Sequence, residues 1–310
     1  MKRVMRGEFL IAQSGASSPM TVRQALQEGT GFLSRLGIES ARLDAELLLG
    51  MVLGQKREEL YLSFERRLGS RQRREFQSLL ERRALGEPIA YITGRREFWS
   101  LDLLVTSDVL VPRPETELLV EVSIGLVEAE SQISDFKFQI LDLGTGSGNI
   151  AVSLAKEKGD SEIWATDLSL EAIQVAEMNA ARHEVKRQIH FFQGDAFKPV
   201  EEKREFFHMI VSNPPYVRRG EVPALPRDVR AWEPLSALDG GIDGLDFYRR
   251  IAAEGHLYLK EKGFVVLEIG DGMAEEVLRL FAAAGFYSGS SVRRDYSGKE
   301  RVVVIQKRMD

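Results

Sequence analysis

The sequence predicts an α/β protein built on a doubly wound, mostly parallel sheet, with a small helical bundle and a β-hairpin in front of it. Three observations predict it. From Phe138 onward, short apolar runs alternate with amphipathic helical stretches, the order expected of βαβ units with right-handed crossovers. A glycine-rich turn, "LDLGTGSGN", joins the first such strand to its helix, where a sheet of this kind binds ligands beyond its carboxyl ends. Residues 21–86, by contrast, carry only helical periodicity.

The helical front begins at Thr21, which with Gln24 forms a capping box before "VRQALQEGTGFLSRLG". "ARLDAELLLGMVLG" places Leu43, Leu47 and Leu48 on one face and stops at Gly54. Ser70 caps a third helix whose stripe is Phe76, Leu79, Leu80 and Ala84, closed by Gly86 and Pro88. In "IAYITGRREFWSLDLLV", two β-rich runs flank Gly94-Arg95-Arg96, which reads as a hairpin turn. Pro112 and Pro114 stiffen the next loop, and a helix begins near Glu115, an acid suited to a first helical turn.

The sheet region follows. "FQILDLG", "EIWATD", "QIHFFQGD", "HMIVSNPP", "FVVLEIG" and "ERVVVIQK" read as strands. Between them lie the helices "NIAVSLAKEK", "SLEAIQVAEMNAARH", "GLDFYRRIAAEGHLYLKEKG" and "MAEEVLRLFAAAG". The expected organisation is a flexible tail over 1–19, a helical domain over 20–88, a hairpin linker over 89–110 and the α/β domain over 111–310. Met20-Thr21 suits a start codon, which makes the tail read as an extension of the gene model.

Composition narrows the function classes. There is no cysteine, so disulfides and thiolate metal sites are excluded and a reducing cytoplasm is the expected compartment. His183, His190, His208 and His256 lack ligand spacing, and no metal is expected. No apolar run approaches the length that spans a bilayer. Residues 1–96 hold 17 basic and 11 acidic side chains, a net of +6; the remainder holds 25 and 36, a net of −11. That acidic rear argues against a groove for nucleic acid, and no nucleic-acid substrate is expected. The arginines Arg66, Arg67, Arg71, Arg73, Arg74, Arg82 and Arg83 read first as a solvated helix face.

The candidate cofactor end is "LDLGTGSGN". Gly144, Gly146 and Gly148 let the backbone pass close beneath a ligand, with Thr145 and Ser147 between them, and the following helix offers N-terminal N–H groups. Asp167 lies 23 residues after Gly144 at the end of the second strand, where an acid suits the two hydroxyls of a ribose. Dinucleotides and S-adenosylmethionine both fit this layout, but G-x-G-x-G is not the dinucleotide fingerprint G-x-G-x-x-G. Asp195 ends the third strand, where an adenine edge is one role and a surface turn the other.

"SNPPYV" is the second candidate site. Asn213 supplies a side-chain carbonyl acceptor, Pro214 a backbone carbonyl held by two proline rings (its own and that of Pro215), and Tyr216 a flat face. An amide or aryl-amine nitrogen is a poor nucleophile because its lone pair is delocalised. Two acceptors on its N–H bonds turn that lone pair toward a methyl donor. No strong base is needed, since the nitrogen becomes acidic only as the methyl arrives. Catalysis is then alignment plus electrostatics, with the transferred carbon about 3 Å from attack. The plain alternative is a strand-ending turn with an incidental aromatic.

The chain after Met20 resembles the release factor glutamine methyltransferases, the PrmC/HemK group. "EPIAYITGRREFWSLDL", "VLVPRPETELLV", "ILDLGTGSGNIA", "IVSNPPYV", "DGGIDGLDFYRRI" and "LEIG" look like that family's blocks, in its order. Asn-Pro-Pro-Tyr alone is shared with adenine exocyclic-amine methyltransferases. The resemblance implies a Rossmann-like class I methyltransferase sheet of seven strands and a substrate-recognising helical domain. It implies methyl transfer from S-adenosyl-L-methionine to the side-chain amide of the glutamine in the Gly-Gly-Gln motif of class I peptide chain release factors. By position, Gly144, Thr145, Gly146, Ser147, Gly148, Asp167, Ala196 and Asn213 would hold the cofactor. Asn213, Pro214, Pro215 and Tyr216 would grip the glutamine. The family often carries an aromatic where Ala196 stands, which leaves Phe197 as the ring to replace it. An adenine methyltransferase acting on DNA or RNA is the alternative, and a non-catalytic scaffold a third reading.

Overall fold

The computed structural model describes residues 20–131 and 137–309; the expected tail over 1–19 lies outside them. The chain divides into two compact units at Thr93–Gly94.

The first unit is helical: α1 (Val22–Arg35), α2 (Ala41–Leu53), α3 (Arg57–Leu62), α4 (Ser70–Ala84) and α5 (Ile89–Thr93). Thr21 and Gln24 close the expected capping box, worth about 1 kcal/mol. Gly69, not Ser70, caps α4, and its N–H donates to Gln72 Oε1 at 3.0 Å. The core is formed by Leu26, Leu33, Leu48, Leu49, Leu60, Phe76, Leu79 and Leu80. Leu43 is 41% exposed; the inner face of α2 is Ala41, Ala45, Leu48 and Leu49, a narrower stripe than the run of leucines suggests. Arg83 and Asp44 pair inside the unit at 2.7 Å.

Residues 89–93 are helix rather than the first arm of a hairpin. Pro88 starts the turn, its carbonyl accepting from Tyr91 and Ile92, and the Thr93 hydroxyl caps back onto Ile89 O at 2.9 Å. The hairpin lies within the second unit as β1 (Arg95–Phe98) and β2 (Leu101–Leu104). It turns at Trp99 and Ser100, whose φ values of 52° and 57° give the mirror-image geometry of a two-residue loop. The glycine at position 94 drew the expected turn there, yet two non-glycine residues carry it.

The hairpin is docked by Asn179, a buried side chain of α8 (Leu170–Arg182). Its amide accepts from Leu104 N at 2.7 Å and donates to Leu104 O at 2.9 Å and Ser147 O at 2.8 Å. One buried amide thereby ties the hairpin to the glycine-rich turn.

The sheet has seven strands, in the order β5-β4-β3-β6-β7-β9-β8. These are β3 (Gln139–Leu143), β4 (Glu162–Asp167), β5 (Ile189–Gln193), β6 (Phe207–Ser212), β7 (Leu259–Glu268), β8 (Tyr287–Arg294) and β9 (Glu300–Lys307). β3 through β7 pair in parallel; β9 pairs antiparallel to both β7 and β8. Six of the strands match the apolar runs of the sequence. The seventh, β8, is an edge strand of sequence "YSGSSVRR", largely exposed, so it buries no apolar face and leaves no periodic signal. The helix read over "GLDFYRRIAAEGHLYLKEKG" is shorter than expected: α10 spans Asp246–Glu254, and β7 has begun by Leu259.

Apolar cores cover both sheet faces. One contains Phe197, Phe207, Ile210, Tyr248, Leu267 and Phe281; the other contains Leu119, Ile140, Ile150, Ala165, Val211 and Val302. Strand order reverses between β3 and β6, so the turns after these adjacent strands leave the sheet about 4.8 Å apart and diverge around a crevice. Ser212, the last residue of β6, donates its hydroxyl to Leu143 O at 2.6 Å and pins the two ends together.

Candidate active site

A cleft of about 330 Å3 opens over these strand ends. It is lined by the glycine turn (Gly144, Thr145, Gly146, Ser147), by Asp167, Leu168 and Ala196, and by Asn213, Pro214 and Pro215. The proline-stiffened loop adds Pro112, Arg113 and Thr116, and α10 adds Phe247 and Arg250. The two candidate sites of the sequence therefore face one cavity.

The glycine turn is held by its backbone. Gly144, Gly146 and Gly148 have φ of 72°, 55° and 79°, the left-handed region open to glycine at little cost. A Cβ on Gly148 would sit 3.0 Å from Ala176 Cβ, so this glycine also lets α7 (Asn149–Glu157) approach α8. Beneath the turn Asp142 is fully buried and accepts from the Thr145 hydroxyl at 2.7 Å. Burial pushes the Asp142 carboxyl up to about 7. Asp167 accepts from Gly146 N at 2.9 Å through Oδ2 and from Ser169 N at 3.0 Å through Oδ1. Burial raises its pKa, and those backbone N–H groups offset part of the rise. Each of its oxygens keeps a lone pair for a diol. Left-handed glycines below, an oriented carboxylate opposite and a helix N-terminus beside them fit an adenosyl cofactor.

One adenine-side expectation needs correction. Phe197 is 1% exposed and stacks on Tyr258 at 4.7 Å, so it is a core ring and does not replace the missing aromatic at Ala196. Asp195 lines the cleft and is paired there with Arg250. Ala196 itself does line the cleft, and the aromatic there is Phe247, from an element 50 residues further on.

The Asn-Pro-Pro-Tyr corner is held by contacts distant in sequence. Asn213 Nδ2 donates to Thr116 Oγ1 at 3.1 Å, which leaves Oδ1 without a partner among the described residues. The carbonyl of Pro214 likewise receives no protein hydrogen bond among them. Behind the corner runs "DGGIDG". Val217 N donates to Leu238 O at 3.0 Å and Gly240 N to Val217 O at 2.9 Å. A Cβ on Gly240 would lie 2.7 Å from Pro215 O, and one on Gly244 would lie 2.5 Å from Tyr216 O. This segment is the backing of the corner, and only glycines let it close in.

Tyr216 does not line the cleft. Its ring packs beside Gly270, and burial pushes its hydroxyl pKa up to about 12, with the nearby Glu268 adding to the rise. Glu268 ends β7, is 1% exposed, and its carboxyl is pushed up to about 7 by burial, with the neighbouring Thr116 hydroxyl pulling the other way. Arg113 Nη2 donates to the buried Glu233 Oε1 at 2.5 Å, fastening the proline loop to the segment before "DGGIDG". Glu115 sits in the short 3-10 turn Pro114–Thr116 that precedes α6 (Glu117–Ser131).

Thr116, Asp142, Glu268 and the two backing glycines were missed by sequence reasoning about roles. One signal existed: "FVVLEIG", like "EIWATD", is an apolar strand closing on an acid. Among the described residues no cluster of potential metal ligands occurs, and no helix is long and apolar enough to cross a membrane.

Residues 24–94 match the PrmC N-terminal domain and residues 124–225 the methyltransferase small domain. A release factor glutamine methyltransferase of Geobacter sulfurreducens is 40% identical over 91% of this chain and 95% of its own length. One from Moorella thermoacetica is 39% identical over 93% and 99%. The hMettl16 catalytic domain in complex with MAT2A 3'UTR hairpin 6 shares the fold, with a TM-score of 0.55 at 14% identity over 75% of this chain and 82% of that one. The human METTL16 N-terminal domain in complex with SAH has a TM-score of 0.50 at 17% identity, over 76% and 84%. The chain belongs to the release factor glutamine methyltransferase family.

Proposed function

We propose that this chain transfers a methyl group from S-adenosyl-L-methionine to the side-chain amide nitrogen of the glutamine in the Gly-Gly-Gln motif of class I peptide chain release factors. The observation that carries the reading is the pair of acceptors left without a partner among the described residues, Asn213 Oδ1 and Pro214 O, on a corner facing the same cleft as the glycine turn. Two acceptors match the two N–H bonds of a primary carboxamide.

When bound, the cofactor supplies an electrophilic methyl group on a sulfonium. The protein's share is placement. Gly144, Thr145, Gly146, Ser147 and Asp167 would hold the nucleoside, with Gly148 shaping the turn beneath them, and Leu168, Ala196 and Phe247 line the same cleft where the adenine would lie. Asn213 and Pro214 orient the amide so that its lone pair faces the donor, and its proton leaves to solvent after attack. With Tyr216 outside the cleft lining, its role is to fix the corner from behind rather than to offer a ring to the substrate.

The names of the relatives support release factor as the protein substrate. Adenine is the alternative amine for this corner, and the matched helical domain of the family favours the glutamine. Mass spectrometry of a release factor incubated with enzyme and cofactor tests the choice. One added methyl on the tripeptide glutamine is expected, with Asn213→Ala lowering turnover by about 100-fold while cofactor binding persists. Methylated DNA or RNA, with unmodified release factor, would transfer the assignment to adenine.

A further inference from the structure

Residues 20–93 hold 12 basic and 10 acidic side chains, but the charge is not spread evenly. Residues 66–74, "RRLGSRQRR", hold five arginines and no acid, which leaves a net of −3 for the rest of the helical unit. Five other arginines of the unit, Arg23, Arg42, Arg57, Arg82 and Arg83, each pair with a carboxylate. Arg66, Arg67, Arg71 and Arg74 are exposed and pair with none among the described residues.

The placement of this patch works against the fold that carries it. The N-terminal end of a helix bears partial positive charge from its unpaired N–H groups, and it favours Asp and Glu. The first turn of α4 has no acid, and Arg71, Arg73 and Arg74 fall within its first five residues. Arg71 and Arg74, three apart, share the face opposite the core residues Phe76, Leu79 and Leu80. Arg66 and Arg67 lie in the turn that enters α4, and that turn is fastened to α1. Val22 N donates to Arg66 O at 2.9 Å, and Leu68 N donates to Met20 O at 2.8 Å. The patch therefore stands on a fixed backbone, which lowers the entropy lost on binding. A local rule broken with no counter-charge inside the unit points to a counter-charge from outside.

We infer that Arg66, Arg67, Arg71 and Arg74 form a docking patch for an acidic face of the protein substrate, separate from its Gly-Gly-Gln loop. The inference rests on the reading of a release factor as that substrate. Guanidinium groups suit carboxylates, which they grip through paired N–H donors. Nucleic acid is the competing polyanion. Residues 66–75 hold no aromatic side chain on which a base could stack, and the ring of Phe64 is covered by Arg23 at 5.0 Å.

The test is Arg71→Glu combined with Arg74→Glu, which spares the fold because acids near a helix N-terminus are stabilising. Methylation is measured on an intact release factor and on a short Gly-Gly-Gln peptide. The expected result is a kcat/KM about 10-fold or more lower for the intact protein, through KM, with the peptide within about twofold of wild type. The melting temperature should be unchanged or higher. Arg71→Lys with Arg74→Lys keeps the charge and should recover most of the loss. Added salt should raise the wild-type KM for release factor more steeply than that of the glutamate variant. Equal losses on protein and peptide, or no loss on either, overturn the patch. A glutamate variant that keeps its KM for release factor but loses retention on RNA assigns the arginines to nucleic acid and overturns it too. If wild-type enzyme methylates neither release factor nor peptide, the substrate reading has failed first and the patch falls with it.

Discussion

Two turns meet over this sheet, and they are built by opposite means. The glycine turn after β3 is local: its shape comes from three left-handed glycines, and its hydroxyl-to-acid prop spans three residues, Thr145 to Asp142. The Asn-Pro-Pro-Tyr corner after β6 is assembled from afar: Thr116 reaches Asn213 across 97 positions. Its backing comes from Gly240 and Gly244, and its buried acid from the end of β7. Each turn leans on a threonine hydroxyl, Thr145 under the first and Thr116 beside the second, yet only the first carries its support in its own motif. A cofactor common to many enzymes can be held by a portable segment. A nucleophile that must be aligned to within a fraction of an ångström needs several strands and loops to agree on one geometry.

The largest expected effect breaks the assembled corner without touching the cleft. Gly244 has φ of 79°, and a Cβ there would stand 2.5 Å from Tyr216 O. Gly244→Ala must displace the corner or the loop behind it. A misplacement of about 1 Å costs roughly 100-fold in rate. The expected outcome is a kcat down by about that factor with cofactor Kd changed less than about threefold, read by single-turnover methylation and by calorimetry. Equal losses in both would mean that the two turns are not independently held.

The mirror experiment loads the damage on the cofactor side. Asp167→Asn keeps one acceptor oxygen for the backbone N–H groups of Gly146 or Ser169 and loses a charge-assisted bond to the cofactor diol. Such a bond is worth about 1.5 kcal/mol or more, so Kd for the cofactor is expected to rise about 10-fold or more. Rate at saturating cofactor should fall much less. A variant with wild-type affinity would remove Asp167 from the site.

The same contrast explains what the sequence could and could not tell. The strands β3, β4, β6, β7 and β9 carry apolar runs buried within the sheet, and the edge strand β5 still carries an apolar run, so these runs exposed them. β8 was invisible because an exposed edge strand of Gly, Ser and Arg has no buried side to announce. Gly144, Gly146, Asp167 and Asn213 were legible since each belongs to a short motif whose chemistry depends on spacing. Thr116, Gly240, Gly244 and Glu268 were not, because their partners are chosen by the fold: a threonine in a proline loop, or an acid closing an apolar strand, means nothing until β6 and β7 lie side by side. Phe197 shows the converse error. Its place next to Ala196 suggested the cofactor, while its side chain points to the core and stacks on Tyr258. The cleft takes its aromatic from α10, and no local rule links the two.

The smallest expected effect concerns stability rather than rate, and it tests whether the prop under the glycine turn is strained by its burial. Asp142 is buried with no cation paired to it among the described residues, and its carboxyl is pushed up to about 7. The folded pKa is therefore above the unfolded one. The folded state holds its proton more tightly, so the cost of burying the charge is absent below the unfolded pKa near 4 and grows as pH rises toward 7. Wild-type protein should lose stability from this group across that window, and the loss should be complete above it. Asp142→Asn keeps an oxygen for the Thr145 hydroxyl and has no charge to bury. Its absolute stability depends on where its amide N–H groups find acceptors, so the informative quantity is the difference from wild type at two pH values. The melting temperature of Asp142→Asn relative to wild type is expected to rise between pH 5 and pH 8, by an amount equivalent to about 1 kcal/mol or more. A difference that stays flat would mean that Asp142 remains charged throughout, stabilised by contacts stronger than the single hydroxyl beneath the turn. The glycine turn would then rest on a buried ion rather than on a neutral acid.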